Sequence, residues 1–223
     1  MHRACAPLLR VLAATALAYL GLPTPEAEAA KPKRGAGFSE GGYIMLTPGS
    51  FVLPFSDRDF IDIGPTYGWS FGGGYMFARG KVFKATVGGV FEHTLLRFDD
   101  YDFANLGGHV IRVMPEARIG AGSNKVWGYG LMGAGVAGAF WNWRYDVPFF
   151  DDARGRRSAP GFNMQFGGGI QGIVYKNLFL GAEVDFDLGW FARDRDQGFW
   201  LERDRDGFEI HQVAVEFLLG WYF

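Results

Sequence analysis

Carboxylate and basic side chains alternate with apolar ones along several stretches of this chain. Residues of these types at this spacing can transfer protons, conduct ions or form ion pairs. In the stretch 178–190, for example, Glu183, Asp185 and Asp187 occupy every second position between apolar residues. Side chains two positions apart in a β-strand share one face, so these carboxylates are predicted to form a row. A row of this kind either passes protons or ions, or forms a fixed network of ion pairs and hydrogen bonds.

Ten charged side chains are predicted on the less apolar face of such alternating stretches. We interpret them as a structural polar network rather than an ion path, because charges withdrawn from water have to be paired. The set comprises Asp62, Lys84, Glu92, Arg112, Glu116, Arg118, Glu183, Asp185, Asp187 and Glu216.

Two connecting stretches combine arginine with aspartate. The segment 193–207 contains Asp-x-Asp spacings followed by glycine, which is part of the pattern of a calcium-binding loop. The further ligands of such a loop are missing and the interleaved arginines offset the negative charge, so neither a metal nor a cofactor is predicted. In the segment 144–160, Arg154, Arg156 and Arg157 are candidates for binding phosphate groups through charge-assisted hydrogen bonds.

The composition favours a packed β structure. The chain has 34 Gly, 22 Phe, 9 Tyr and 7 Trp, and so many aromatic residues argue against disorder. A formal net charge of −2 gives no indication of a nucleic-acid partner. The one cysteine, Cys5, lies in the N-terminal segment, so the remainder of the chain has no thiol for disulfide or redox chemistry.

The N-terminal segment has the organisation of a secretory signal peptide. Arg3 and Arg10 precede a short apolar run, and residues 27–29 read Ala-Glu-Ala, the small-x-small pattern before a cut. The run of about 12 apolar residues is shorter than the roughly 20 that a membrane-spanning helix needs. We therefore predict a signal peptide over 1–29, an N-terminal tail over 30–37 and one folded domain over 38–223.

The C-terminal stretch has the clearest two-residue period. Phe217, Leu219, Trp221 and Phe223 share one face, and small or polar residues lie between them. Similar alternation predicts strands in the ranges 61–77, 82–97, 106–120, 127–143, 162–174 and 178–190. The first strand, around 38–47, alternates poorly.

Two kinds of connection join the eight predicted strands. Tight turns at 79–81, 123–125 and 176–177 contain Gly, Ser or Asn. Longer charged connections alternate with them, near 53–59, 98–105, 144–160 and 193–207. This order predicts an all-β fold, an eight-stranded antiparallel up-and-down barrel with both chain ends on the side of the tight turns.

The distribution of polarity is inverted relative to a water-soluble barrel. A lipocalin-like barrel would turn its apolar face inward. Here charge and glycine occupy the face that fits a narrow interior, whereas bulky aromatic residues occupy the other, as in a membrane barrel. Residues near the strand ends are accordingly predicted to form aromatic girdles: Trp127, Tyr129, Trp141, Trp143, Trp190, Trp221 and Tyr222.

The alternation that ends at Phe223 resembles the C-terminal recognition signal of bacterial outer-membrane barrels. Over 38–223 the chain resembles the small eight-stranded barrels of the OmpA/OmpX type. The resemblance implies a location in the bacterial outer membrane, with extracellular long connections and periplasmic termini. We expect a monomer whose partners are outer-membrane lipid, lipopolysaccharide and the barrel-assembly machinery, the last recognising Phe217, Leu219, Trp221 and Phe223.

Three functions are compatible with such a barrel, because one scaffold hosts all of them. The first is a non-enzymatic structural or surface-interaction role through the long connections, and the second is a narrow channel or small-molecule transporter. The third is a lipid A-modifying enzyme, for which a Ser-His-acid set would be needed. His93, His109 and His211 share parity with the outward apolar set and no serine lies beside them, so no catalytic residue is predicted. We interpret the histidines as headgroup contacts, and His93 and His109 flank one connection that can bring them together.

Overall fold

The structure, a computed structural model, describes residues 38, 40–56, 65–79, 82–98, 106–145, 153–192 and 207–223. These residues form a closed barrel in which each strand pairs antiparallel with its neighbours and β8 pairs with β1. The strands are β1 (Gly41–Ser56), β2 (Thr66–Arg79), β3 (Phe83–Phe98), β4 (Leu106–Gly122), β5 (Val126–Tyr145), β6 (Ala153–Tyr175), β7 (Leu178–Phe191) and β8 (Phe208–Tyr222). The predicted fold class is confirmed. The predicted signal peptide (1–29) and tail (30–37) lie outside the described residues.

Polar side chains and backbone freedom build the tight turns. Between β4 and β5, the Ser123 hydroxyl accepts hydrogen bonds from the backbone amides of Lys125 and Val126, both at 3.1 Å. Between β6 and β7, Lys176 adopts the left-handed backbone conformation with φ of 49°. Turns of two residues that reverse twisted strands require such a conformation.

A β-bulge explains why the first strand alternates poorly. The register of β1 shifts between Thr47 and Ser50 against β2, and between Leu46 and Gly49 against β8. Before the bulge the odd-numbered Met45 and Thr47 are buried, and after it the even-numbered Ser50 and Val52 are buried. One extra residue therefore exchanges the two faces.

Three predicted boundaries are wrong. The first connection was placed near 53–59, but β1 continues to Ser56 because the bulge restores its alternation. The second strand was placed from 61, whereas β2 begins at Thr66. The third connection was placed at 144–160, but β5 and β6 remain paired as far as Tyr145 and Ala153.

The third error has a physical cause in the β5–β6 hairpin. The register of β6 with β7 begins at Gly161, and the Pro160 carbonyl still accepts a hydrogen bond from the Ala192 amide at 2.8 Å, so residues 153–159 pair in register with β5 alone. This part of the hairpin extends past the neighbouring strand, and its composition is that of a loop although its backbone bonds are those of a strand.

The outer face of the barrel is apolar around its whole circumference. Exposed large apolar residues lie on every strand, among them Phe51, Phe71, Val87, Val113, Val136, Ile170, Phe186 and Phe217. The inner face carries the buried polar and charged side chains as well as two apolar clusters. Within the described ranges no helix is long and apolar enough to cross a membrane.

Candidate functional site

The polar interior is the candidate functional site. The structure places nine of the ten predicted charged side chains inside the barrel, each at most 7% exposed. They are Lys84, Glu92, Arg112, Glu116, Arg118, Glu183, Asp185, Asp187 and Glu216. Asp62, the tenth, lies outside the described residues. We call the half of the interior toward the tight turns the turn half and the half toward the long connections the connection half.

The turn half is organised around Arg118. The Arg118 guanidinium contacts Glu116 at 2.5 Å and lies 3.2 Å from both carboxylate oxygens of Glu183. The Tyr129 hydroxyl donates to Glu183 at 2.6 Å, and the Tyr129 ring lies below the guanidinium, 5.2 Å from centroid to Cζ. Two carboxylates thus compensate one buried cation, as a low-dielectric interior requires.

A second cation, Lys84, closes the turn half at its edge. Its Nζ donates to the backbone carbonyl of Gly122 at 3.1 Å. Gly122 is the last residue of β4, so this hydrogen bond lies next to the tight turn between β4 and β5.

The connection half is organised around Arg112, which is bound mainly by neutral groups. Its Nε donates to the Asn163 side-chain carbonyl at 3.2 Å and its Nη1 donates to the Thr94 hydroxyl at 3.1 Å. The Glu92 carboxylate is 4.0 Å away, and it accepts a hydrogen bond from Gln165 at 2.9 Å.

Amide side chains also donate hydrogen bonds to the second carboxylate of this half, that of Asp187. The Asp187 carboxylate accepts hydrogen bonds from Asn163 Nδ2 and Gln212 Nε2, each at 2.8 Å. In the connection half, therefore, an amide and a hydroxyl accept from the arginine as carboxylates do in the turn half, and amide groups donate to the two carboxylates. Alternation along β6 puts Asn163 and Gln165 on one face, but their partners Arg112, Asp187 and Glu92 lie on other strands, which alternation does not specify.

A third group of carboxylates lies between the two halves. Glu183 of β7 is directly opposite Glu216 of β8 in the strand register, and Asp185 is two residues further along the same inner face. The Glu216 carboxylate accepts one hydrogen bond, from the Thr47 hydroxyl at 3.1 Å. One oxygen from each of these three carboxylates lies within 4.8 Å of the other two.

Aromatic rings close the interior at the turn end. Phe38 lies edge-on to Tyr222 at 5.1 Å and to Trp127 at 6.1 Å between ring centroids, and Phe179 packs against Tyr222 at 4.9 Å. The Phe38 amide donates to the Asn124 carbonyl at 2.7 Å, which fixes this residue against the turn between β4 and β5.

The predicted girdle is wrong for three of its members. Trp127, Tyr129 and Tyr222 are at most 7% exposed and face the interior, whereas Trp190 and Trp221 face outward. The buried polar tips are satisfied, since Trp127 Nε1 donates to Gln171 at 3.2 Å. Alternation along β5 predicts the inward orientation of Trp127 and Tyr129, because both share parity with the buried Leu131.

A second apolar cluster narrows the interior at the other end. Leu96, Val110, Phe191 and Ile210 form a buried cluster with three alanines, Ala137, Ala139 and Ala159. Trp141, predicted for a girdle, packs against this cluster, and the side chain of Trp143 is outside the described part. In the described residues, polar groups thus lie between two apolar ends.

The histidines lie on the outer face of the wall. The rings of His93 and His109 are 5.4 Å apart between centroids, and His109 stacks on Phe140 at 5.3 Å. Ser50 and Ser70 are buried. Ser158 pairs with Phe140, two strands from His109, which is about 10 Å at the usual strand spacing. His211 contacts Glu209 at 2.9 Å.

The remaining predicted residues are placed as follows. Arg154, Arg156 and Arg157 lie on the paired backbone of β6 rather than in a connection, and their side chains are outside the described part. The four aromatic and aliphatic residues of the C-terminal pattern, Phe217, Leu219, Trp221 and Phe223, face outward with 38–70% exposure. Phe223 exchanges two backbone hydrogen bonds with Gly42.

Comparison with known proteins shows that the chain is similar to several solved structures. No protein-family model and no curated protein sequence matches the chain. The attachment invasion locus protein Ail of Yersinia pestis is 15% identical, with a TM-score of 0.47 over 82% of this chain and 100% of that chain. Neisserial surface protein A is 11% identical, with a TM-score of 0.46 over 82% and 97%. The outer membrane protein OprG of Pseudomonas aeruginosa is 10% identical, with a TM-score of 0.40 over 84% and 98%.

Proposed function

We propose that this chain is a bacterial outer-membrane β-barrel with a non-enzymatic structural or surface-interaction role. The observation that carries the proposal is the inverted distribution of polarity. In the part of the chain that the structure describes, six carboxylates and three basic groups are buried inside, while large apolar side chains are exposed on all eight strands. An exposed apolar surface of this extent is stable in hydrocarbon and promotes association in water.

The filled interior supports a scaffold rather than a conduit. Rings at the turn end and a second apolar cluster at the other end leave the polar groups enclosed, which disfavours a channel or transporter. The wall separates the outward histidines from the buried Ser50 and Ser70, and the exposed Ser158 lies two strands from His109, about 10 Å away at the usual strand spacing. Both placements disfavour a serine hydrolase acting on lipid A. Interaction then falls to the long connections and to the protruding β5–β6 hairpin.

The orientation, partners and assembly route form part of the proposal. The long connections are extracellular, the termini periplasmic, and the barrel monomeric in lipid, with no nucleic-acid partner. Phe217, Leu219, Trp221 and Phe223 act as the signal for the barrel-assembly machinery, and Arg154, Arg156 and Arg157 bind lipopolysaccharide phosphates through charge-assisted hydrogen bonds.

Heat-modifiability tests the membrane barrel. The protein purified in detergent is expected to migrate as a compact band on a gel and to shift on boiling, because the closed wall resists the denaturing detergent until heated. A monomer that is folded in plain buffer without detergent would overturn the proposal. Single-channel recording in planar bilayers is expected to show no steady conductance, and a stable conductance would favour the channel instead.

Lipopolysaccharide binding tests the arginine contacts. The triple variant R154A/R156A/R157A is expected to bind lipopolysaccharide micelles several-fold more weakly than the unaltered protein. The matched control is K125A/K176A, which removes two charges at the tight turns. Equal binding by all three proteins would remove the arginines from the proposal. Protease cleavage of intact cells between 146 and 152 tests the orientation.

A further inference from the structure

The three carboxylates between the two halves of the interior have unequal partners. Glu183 is bound by Arg118 and by the Tyr129 hydroxyl, and Glu216 accepts one hydrogen bond from Thr47. Neither oxygen of Asp185 has a hydrogen-bond partner among the described residues, although this side chain is 0% exposed. Asp185 is therefore a fully buried, unpartnered carboxylate directed into an acidic cluster.

The register of β7 and β8 brings these carboxylates close together, which destabilises the barrel unless a cation compensates their charge. Glu183 and Glu216 are directly opposite each other on neighbouring strands. Like charges at directly opposite positions destabilise a sheet, and a third carboxylate on the same face adds to the repulsion in a low-dielectric interior. The nearest described cation, Arg118, already serves Glu116 and Glu183.

The balance of charge over the interior also indicates a deficit of positive charge. The described interior holds six carboxylates but three basic groups. Lys84 lies at the edge of the turn half, and Arg112 lies in the connection half beside Glu92. The deficit of positive charge thus coincides with Asp185 and Glu216.

The residue paired with Asp185 on β6 is a glycine, which makes room for the carboxylate. Asp185 pairs with Gly167 of β6, and a β-carbon at position 167 would collide with Asp185 Oδ1. Glycine at this position lets the carboxylate lie against the wall, and one of its oxygens lies within 4.8 Å of an oxygen of each of the other two acids.

We propose that Glu183, Asp185 and Glu216 bind a divalent cation inside the barrel. Each offers an oxygen within 4.8 Å of the others, a spread that a single ion with metal–oxygen distances of about 2.3–2.6 Å bridges. An all-oxygen donor set selects a hard ion, Ca²⁺ or Mg²⁺. The bound ion compensates the charge of Asp185 and joins β7 to β8, and its coordination explains why two acids face each other across these strands.

Metal content of the purified protein tests the proposal directly. The protein is extracted in detergent without chelator, exchanged into metal-free buffer and measured by native mass spectrometry and elemental analysis. About one Ca²⁺ or Mg²⁺ per chain is expected. After treatment with EDTA, adding Ca²⁺ at about 100 times its dissociation constant should raise the midpoint of heat-modification by roughly 5–10 °C. Parallel addition of Mg²⁺ identifies the preferred ion.

Two matched variants locate the site. D185N keeps the size of the side chain and removes one charge, so it should lose the stoichiometric ion and the response to Ca²⁺. D187N alters the next inward residue of the same strand, whose carboxylate already has two amide partners, and it should retain both. Terbium added to the EDTA-treated protein should show emission sensitised by Tyr129, which contacts Glu183, and D185N should abolish it.

Several outcomes would overturn the proposal. Native protein without any bound ion, together with a midpoint that neither EDTA nor Ca²⁺ changes, would mean that the three acids share protons instead. Equal metal content in D185N and the unaltered protein would place any bound ion elsewhere. Because the mass measurement uses the unaltered protein, its result does not depend on whether the variants fold.

Discussion

The two halves of the interior stabilise the same kind of residue by different chemistry. Arg118 and Arg112 both lie on the inner face of β4, and both are at most 2% exposed. Arg118 contacts Glu116 and Glu183 directly, whereas Arg112 contacts an amide and a hydroxyl, with Glu92 at 4.0 Å. The turn half is therefore an ion-pair network with aromatic rings at its end, and the connection half is a hydrogen-bond network with a mixed cluster of aliphatic and aromatic residues at its end.

This difference shows that residue type alone does not set the energy of a buried charge. The Arg118 network fails if either sign of charge is removed, because the remaining charges are left unpaired. The Arg112 network consists mainly of neutral groups, which tolerate the loss of one partner at lower cost. Four substitutions measure the contrast.

Removal of Arg118 should have the largest effect. R118M leaves Glu116 and Glu183 buried without their cation, so the free energy of unfolding should fall by about 3–5 kcal/mol. Urea unfolding in detergent with EDTA, followed by tryptophan fluorescence, measures it. The double variant R118M/E183Q should recover part of the loss. A loss below about 1 kcal/mol would contradict the assignment of an ion-pair network to this half.

Removal of the Phe38 ring should have the next largest effect. F38A opens a cavity between Tyr222 and Trp127, so we expect a loss of about 3 kcal/mol in the same unfolding experiment. The emission of the protein should shift to longer wavelength, since water reaches Trp127. F186A is the control, because Phe186 is 54% exposed on the outer face. Equal losses in both variants would show that Phe38 does not close the interior.

Removal of Arg112 should cost less than either. R112M leaves the Asn163 and Thr94 side chains without one donor each. Glu92 loses a cation that is 4.0 Å away but keeps its hydrogen bond from Gln165, so the expected loss is about 2 kcal/mol. The same urea titration measures the loss in free energy of unfolding. The ratio of this loss to the loss in R118M is the informative quantity. If R112M were the more destabilising of the two, the contrast between the halves would be reversed.

Removal of Lys84 should have the smallest effect. Its one described hydrogen bond is to the Gly122 carbonyl at the edge of the interior, where water can replace it. K84M should therefore lower the free energy of unfolding by about 1 kcal/mol or less. A larger loss would mean that Lys84 compensates one of the inner carboxylates.

Alternation predicted the architecture because burial follows a period of two in every strand. It placed the charged residues of β3, β4, β7 and β8 on one face before any pairing was known. It failed at the bulge in β1, where the period breaks, and in β6, where a loop-like composition continues as paired strand. The interfacial assignment of Trp127 and Tyr129 failed because residue type was given more weight than parity.

The interactions within the site lay beyond the sequence because they depend on register. The pairing of Glu183 with Glu216 follows from the offset between β7 and β8, which alternation does not specify. The contact between Arg118 and Glu183 joins strands that are not neighbours. No metal was predicted for this reason, since three acids on one face become a cluster only when two strands are aligned.

The pairing of β1 with β8 has a consequence for how quickly the barrel forms. The hydrogen bond from Thr47 to Glu216 joins residues 169 positions apart, whereas the other seven strand pairs join neighbours in sequence. Closing so long a loop costs entropy before any contact repays it, and topologies rich in such contacts fold slowly. Until that final seam forms, the chain is a sheet with two open edges, and hydrocarbon does not tolerate open edges. In the membrane that we propose for this barrel, closure and stable residence are therefore one event in time.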